Sequence, residues 1–171
     1  MVVLAAQNRR ITVSKMSDLE PTRLKSADII YIGYLSGMGM LQDLVFTGSR
    51  FAVGESYDEV IDKTAHHSYV SEVGSQIMEA PLPTGKEQTY RDYGILEKLQ
   101  GPGGNTILVI AGTRDEGVSQ TAEAITNAQK LNELGRQADP TLPLEALLEV
   151  NAFNGTNLTG KLLLESNRRR P

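Results

Sequence analysis

The chain has 171 residues, 40% hydrophobic and 22% charged, and its 17 Lys and Arg against 21 Asp and Glu leave a formal net charge of -4. That balance supplies one well-buried core and excludes an intrinsically disordered chain, while basic residues scattered along a slightly acidic sequence exclude an electrostatic nucleic-acid surface. The absence of cysteine excludes a disulfide framework, a thiolate metal site and a cysteine nucleophile, and no run reaches the roughly 20 apolar residues of a membrane span.

The apolar opening Val2 to Ala6 lacks the length and preceding charges of a signal peptide. It runs straight into Asn8, Arg9 and Arg10, which reads as the trimmed edge of a longer protein, with the cytoplasm favoured over export. Ile11 to Lys15 alternate apolar and polar, the period of a strand with one wet face, and predict an edge. Asp28 to Ile32 form a short apolar run ending at Gly33, which predicts a strand buried on both faces. The loop Tyr34 to Gly39 and a helix over Met40 to Phe46 complete a first strand, glycine loop, helix unit.

Arg50 to Val53 reads as a short strand. Glu59 to Ile61 and Ser68 to Val70 read as hairpin arms joined by Asp62 to His67. Pro81, Pro83 and Gly85 place an exposed loop at 81–85. Tyr93 to Leu99 predicts a further strand, closed by the turn Gly101, Pro102, Gly103, Gly104.

The second unit is the clearest. Thr106 to Ala111 is a buried-strand run broken by Gly112, and Val118, Ala122, Ile125, Ala128, Leu131 and Leu134 form one apolar stripe of about five helical turns. Thr113 and Glu116 have capping-box spacing at its start, and Gly135 stands at its expected end. Leu144 to Val150 alternate as a strand or make two helical turns. Asn154 and Gly155 signal a turn before a closing strand at Lys161 to Glu165. The expectation is a single α/β domain over 1–171: a mixed central sheet with two strand, glycine loop, helix units, flanking helices and an extra β-hairpin region.

In such sheets ligands bind beyond the carboxyl ends of parallel strands, where backbone N–H groups point outward. Gly33, Tyr34, Ser36, Gly37 and Gly39 form one such loop. It lacks the Lys of a phosphate-binding P-loop, since Met40 and Leu41 follow Gly39, and a dinucleotide fingerprint would want Gly or Ala where Gln42 stands. With no basic residue and with Tyr34, Leu35, Met38 and Met40, it suits an uncharged small molecule or a protein partner. The bland alternative is a tight turn packing on the sheet.

The second loop carries Gly112, Thr113 and Arg114, followed by Asp115 and Glu116. Two acids at a helix start favour the helix dipole and repel phosphate, and Arg114 is placed to reach a carboxylate. Ser36 is one residue out of register with a nucleophile elbow. His66 and His67 are adjacent and point apart in extended chain, so they cannot ligate one metal together. Asp58, Glu59 and Asp62 form a small acidic cluster near Tyr57 and Tyr69 that reads as solvated surface, and Arg168 to Arg170 are too few for nucleic acid. No metal or cofactor is expected from these residues.

The phrases Tyr31 to Met40 (YIGYLSGMGM), Asp92 to Gly94 (DYG) and Asn105 to Gly117 (NTILVIAGTRDEG) resemble segments of an uncharacterised bacterial α/β domain found in the C-terminal parts of larger regulatory proteins. The resemblance implies a module working inside a longer chain and transfers no activity. The functional expectation is a non-catalytic ligand-sensing or protein-interaction domain whose face is built from the Gly33 to Gly39 loop, Gly112 to Arg114 and Asp92 with Tyr93. One alternative is a small hydrolase or nucleotide-processing enzyme using Ser36, a histidine and an acid. Another is a structural domain forming a homo-oligomer through the C-terminal strands.

Overall fold

A computed structural model describes residues 11–74, 89–134, 139, 142–153 and 156–167. Its strands in chain order are β1 (Ile29–Tyr34), β2 (Phe51–Val53), β3 (Glu59–Asp62), β4 (His67–Val70), β5 (Glu72–Val73), β6 (Thr89–Gln100), β7 (Thr106–Gly112), β8 (Leu144–Phe153) and β9 (Thr156–Asn167). The helices are α1 (Arg23–Ser26), α2 (Leu41–Phe46), α3 (Asp115–Thr126) and α4 (Ala128–Glu133), with 3-10 turns at Met16–Asp18 and Leu35–Gly37. The fold is α/β. A mixed sheet runs β1-β7-β6-β8-β9, with β5 added to β6, and a second sheet runs β2-β3-β4.

β1 and β7 pair in parallel, whereas β6 pairs antiparallel with both β7 and β8, and β8 with β9. The continuous apolar runs of β6, β7 and β8 are covered on both faces, as such runs require. On one face Leu96, Ile110, Ala146 and Leu148 pack with Ala124 of α3 and with Leu134. On the other, Tyr31, Ile95, Ile107, Val109 and Leu147 pack with Leu35, Met38, Leu41 and Val45, and with Phe51 and Val60 of the small sheet. The result is three layers, with the large sheet in the middle.

Three glycines set how closely α3 lies on that sheet. Gly94 and Gly112 stand opposite one another on β6 and β7, and Gly117 in the first turn of α3 rests on both. A Cβ on Gly117 would lie 2.3 Å from the Tyr93 carbonyl oxygen, one on Gly112 2.3 Å from the Val118 nitrogen, and one on Gly94 1.9 Å from Thr121 Oγ1.

The small sheet is held by charge as well as by Phe51 and Val60. Arg50 grips Asp62 with Nε to Oδ1 at 2.8 Å and Nη2 to Oδ2 at 2.6 Å, and the Thr64 and Ala65 amides donate to Oδ1. Burial alone pushes the Asp62 carboxyl up, but the Arg50 bond and the two amides outweigh it, so its pKa is lowered. Asp62→Ala is therefore expected to cost about 2 kcal/mol in denaturant melts at neutral pH. A depressed folded pKa stabilises above the ordinary carboxylate range and is lost as pH falls through the folded value, so the gap between wild type and variant should close on acidification. Behind β2, Ser49 bonds to Glu97 and, at 2.9 Å, to Glu145, which also accepts from the Arg50 amide at 2.8 Å and Ser166 Oγ at 3.0 Å. Glu145 is thus supplied with donors from the Arg50 amide and Ser166, as a buried acceptor must be, and the single Ser49 proton is shared between Glu145 and Glu97.

Several expectations are corrected. Ile11 to Lys15 form no strand: the segment is exposed coil, because alternation without a strand to pair with among the described residues does not make a sheet edge. β1 is not buried on both faces; Ile30, Ile32 and Tyr34 are 44%, 62% and 45% exposed, because β1 is itself the edge and α3 lies mainly over β6 and β7. The single five-turn helix is two helices. Asn127 adopts extended backbone between them, and its side chain accepts from the Gln129 and Lys130 amides, so a capping residue overrides the apolar period. The C-terminal hairpin forms as expected, but β8 is interior and β9 alone is the edge. The expected loop at 81–85, Gly135, the Asn154, Gly155 turn and Arg168 to Arg170 lie outside the described residues. Among the described residues no helix is long and apolar enough to cross a membrane.

Candidate functional site

Because β1 and β7 run parallel, both carboxyl ends open at the same end of the sheet, with Tyr34 beside Gly112. β6 arrives there from the opposite direction, with Gly94 beside Gly112. The three segments singled out in the sequence, Gly33 to Gly39, Gly112 to Arg114 and Asp92 with Tyr93, therefore meet at one place.

The first loop is shaped from beneath by Tyr31. Its hydroxyl donates to the Tyr34 carbonyl at 2.6 Å, and a Cβ on Gly33 or on Gly37 would lie 2.9 Å from that hydroxyl oxygen. The two glycines thus leave room for an interior ring, and burial pushes the Tyr31 phenol up from its ordinary pKa. Gly39, at φ +50, takes the left-handed turn that leads into α2. Leu35 and Met38 point into the core, while Ser36, Gly37, Gly39 and Met40 are exposed.

The second loop differs from the capping-box expectation. Arg114 occupies the cap position of α3 without a side-chain cap bond, and the Thr113 hydroxyl turns inward instead. It donates to Asp92 Oδ1 at 2.9 Å, and it accepts from the Tyr93 amide at 3.1 Å. Ser71 Oγ lies 2.6 Å from the same hydroxyl. The other Asp92 oxygen accepts from the Gly117 amide at 3.0 Å. A buried carboxylate on β6, rather than a residue of the helix itself, thus caps α3. Burial pushes the Asp92 carboxyl up; the Gly117 amide and the Thr113 and Ser71 hydroxyls pull against this, Glu116 adds to it, and the pKa is raised. A helix N-terminus that already holds a carboxylate leaves no seat for phosphate.

Tyr93 faces the opposite side of the sheet. Its ring lies 5.5 Å from Tyr69, on which His67 packs edge-on at 4.6 Å, and its hydroxyl donates to Glu149 Oε2 at 3.3 Å. Burial, then the Glu149 charge, push its phenol up to about 12. Asp92, Thr113 and Tyr93 are therefore interior framework under the surface formed by Tyr34, Ser36, Met40 and Arg114.

On that surface the Tyr34 hydroxyl donates to Asp115 Oδ1, and this bond, with the Asp115 charge, raises the phenol pKa. Arg114 reaches a carboxylate: Nε lies 3.3 Å from Asp58 Oδ1. The pair is partly exposed and contributes little to stability. The acidic trio is dispersed and is not all solvated surface as expected: Asp62 is fully buried on Arg50, because the guanidinium and two amides replace its water, while Asp58 pairs with Arg114. Among the described residues no hydrogen bond links Ser36 to either histidine, and no group of three His, Asp or Glu side chains could hold a metal ion. His66 sits in the β3–β4 turn at φ +53.

Sequence reasoning missed Ser71, which carries no local signal, and the capping role of Asp92, which is made by a residue 25 positions from its amide partner. Compared with protein-family models, with curated proteins and with solved structures, the chain matches none.

Proposed function

We propose that this chain is a non-catalytic sensing or protein-interaction domain of a regulatory protein, and that its working face is the loop end of β1 and β7. The observation carrying this reading is the division of labour at that end. Asp92, Thr113 and Ser71 satisfy one another beneath the surface, so these three groups are engaged inside. What faces outward is a mixed apolar and polar patch of Tyr34, Ser36, Met40 and the Arg114–Asp58 pair. A patch of this composition suits an uncharged ligand or a protein surface.

The test is a photo-crosslinking residue at position 36, compared with one at the exposed Pro102, in the turn at the far end of β7. Discrete light-dependent adducts are expected from position 36 and none from 102. Equal labelling from both positions would remove the reading, and so would hydrolysis of simple ester or phosphoester substrates that Ser36→Ala abolishes.

A further inference from the structure

Among the described residues the outer strands of the large sheet, β1 and β9, each pair along one side, but they differ in how their other side is guarded. β9 is irregular, with register shifts against β8 between Leu147 and Leu148 and between Asn151 and Ala152, and it carries Lys161 and Glu165. Bulges and charges of this kind discourage edge-to-edge pairing. β1 has neither. Its sequence, IIYIGY, contains no charge and no proline, and its register with β7 is unbroken over all six residues. Among the described residues β1 pairs with β7 alone.

The exposed face of β1 is apolar. Ile30, Ile32 and Tyr34 alternate along the strand and so project from one face of the sheet, next to Leu108, Ile110 and Gly112 on β7. Such an edge accepts another regular strand, and its composition selects which one.

We propose that β1 pairs antiparallel, about a two-fold axis, with β1 of a second copy of this chain, joining two sheets into one. A two-fold axis perpendicular to the sheet keeps like faces together only if the paired positions have the same parity. The register that sets Ile32 against its own mate sets Ile30 against Tyr34, so all three apolar residues meet apolar partners. Shifting the strands by two residues sets Ile32 against Ile30 and Tyr34 against Asp28, which loses one apolar pair.

The flanks agree in charge. α1 directly precedes β1 and presents exposed Arg23 and Lys25, neither ion-paired among the described residues. Asp115 and Glu116 stand at the other end of β1, where Tyr34 bonds to Asp115. Asp28, between α1 and β1, accepts from the Thr106 amide and offsets part of that positive charge; the antiparallel pairing still brings Arg23 and Lys25 of one copy to the end that carries Asp115 and Glu116 in the other, which favours this partner and orientation. The pairing uses the strand edge and needs no ligand on the loop face, with which it shares Tyr34.

The test is sedimentation velocity on the 171-residue chain, with twice the 18.6 kDa chain mass expected. Ile32→Lys places a charge at the axis of the paired edge and should return the monomer mass, with the circular dichroism of the wild type because Ile32 is exposed. A second measurement does not depend on that variant folding. In this cysteine-free chain, Ile32→Cys should form a disulfide-linked dimer on mild oxidation, since directly opposed Cα atoms about 4.5–5.5 Å apart fall within disulfide reach. Val13→Cys, on exposed coil, should not. A monomeric wild type, a dimer unaffected by Ile32→Lys, species larger than a dimer, or cross-linking through Lys161→Cys on β9 in place of Ile32→Cys would each overturn the proposal.

Discussion

Gly117→Ala is expected to destabilise the protein by about 3 kcal/mol, roughly 10 °C in melting temperature for a chain of this size. Two effects oppose each other at this position. Alanine is intrinsically the better helix residue, by about 1 kcal/mol. Its methyl carbon, however, would stand 2.3 Å from the Tyr93 carbonyl oxygen and 2.9 Å from the carbonyl carbon, and both belong to a central strand that cannot swing aside as a flexible side chain could. Relief requires lifting the first turn of α3 off β6. That movement stretches the Asp92 to Gly117 bond and loosens the packing of Ala124 on Leu96, Ile110 and Ala146. The overpacking term exceeds the helix-propensity gain, so the sign is a net loss. Thermal or denaturant melts decide it, and an unchanged or raised midpoint would show that α3 does not sit this close to the sheet.

Asp92 gives the second large effect, and two substitutions separate its charge from its hydrogen bonds. Asp92→Ala removes the acceptor for the Gly117 amide and for Thr113 together in a fully buried place, and is expected to cost about 3 kcal/mol. In Asp92→Asn the amide oxygen still accepts from Gly117, and the Thr113 hydroxyl can turn its proton to the Tyr93 carbonyl, 3.2 Å away. That variant should lose less than half as much.

The pH dependence follows from the direction of the shift. The folded carboxyl has a raised pKa because burial disfavours its charge. The native state therefore binds the proton more tightly than the unfolded chain does. The stabilising contribution is fully present below the unfolded pKa and is lost as pH rises through the folded value. In urea titrations from acid to neutral pH, this component of the slope should vanish in Asp92→Asn. A slope unchanged by the substitution would assign it to other groups.

The legible parts of the fold were those whose signal is local. The runs of β1 and β7, the glycines ending them, the β3–β4 arms and the β8–β9 hairpin are all written in neighbouring residues, and the strand runs imply two loops at one end once β1 and β7 are taken as parallel. The illegible parts depend on partners distant in the chain. The continuous apolar run at Asp28 to Ile32 says that a strand forms but not whether a helix covers its second face, and among the described residues none covers Ile32. Thr113 and Glu116 have the spacing of a local cap, yet a better acceptor arrives from β6 and takes its place. Gly33 and Gly37 look like backbone opened for a ligand, and only the position of the Tyr31 ring shows what fills the space. Asn127 is the exception: a capping residue stood in plain view within an apolar stripe, and the regularity of the stripe concealed it.

The parallel pairing of β1 with β7 also bears on the order of assembly. The contacts that fasten the start of β1 join residues 78 positions apart, Asn105 to the Ala27 carbonyl and the Thr106 amide to Asp28. By contrast, β6 with β7 and β8 with β9 close through short connections. Loop-closure entropy favours an order in which the hairpins form while β1 is still searching and β1 docks onto a sheet already built. An element that joins last and is held along one edge is also the first to open in the native state. In a single copy, transient departure of β1 would uncover the margin of β7 and the underside of the Gly33 to Gly39 loop together, whereas pairing of β1 with a second copy would hold both closed.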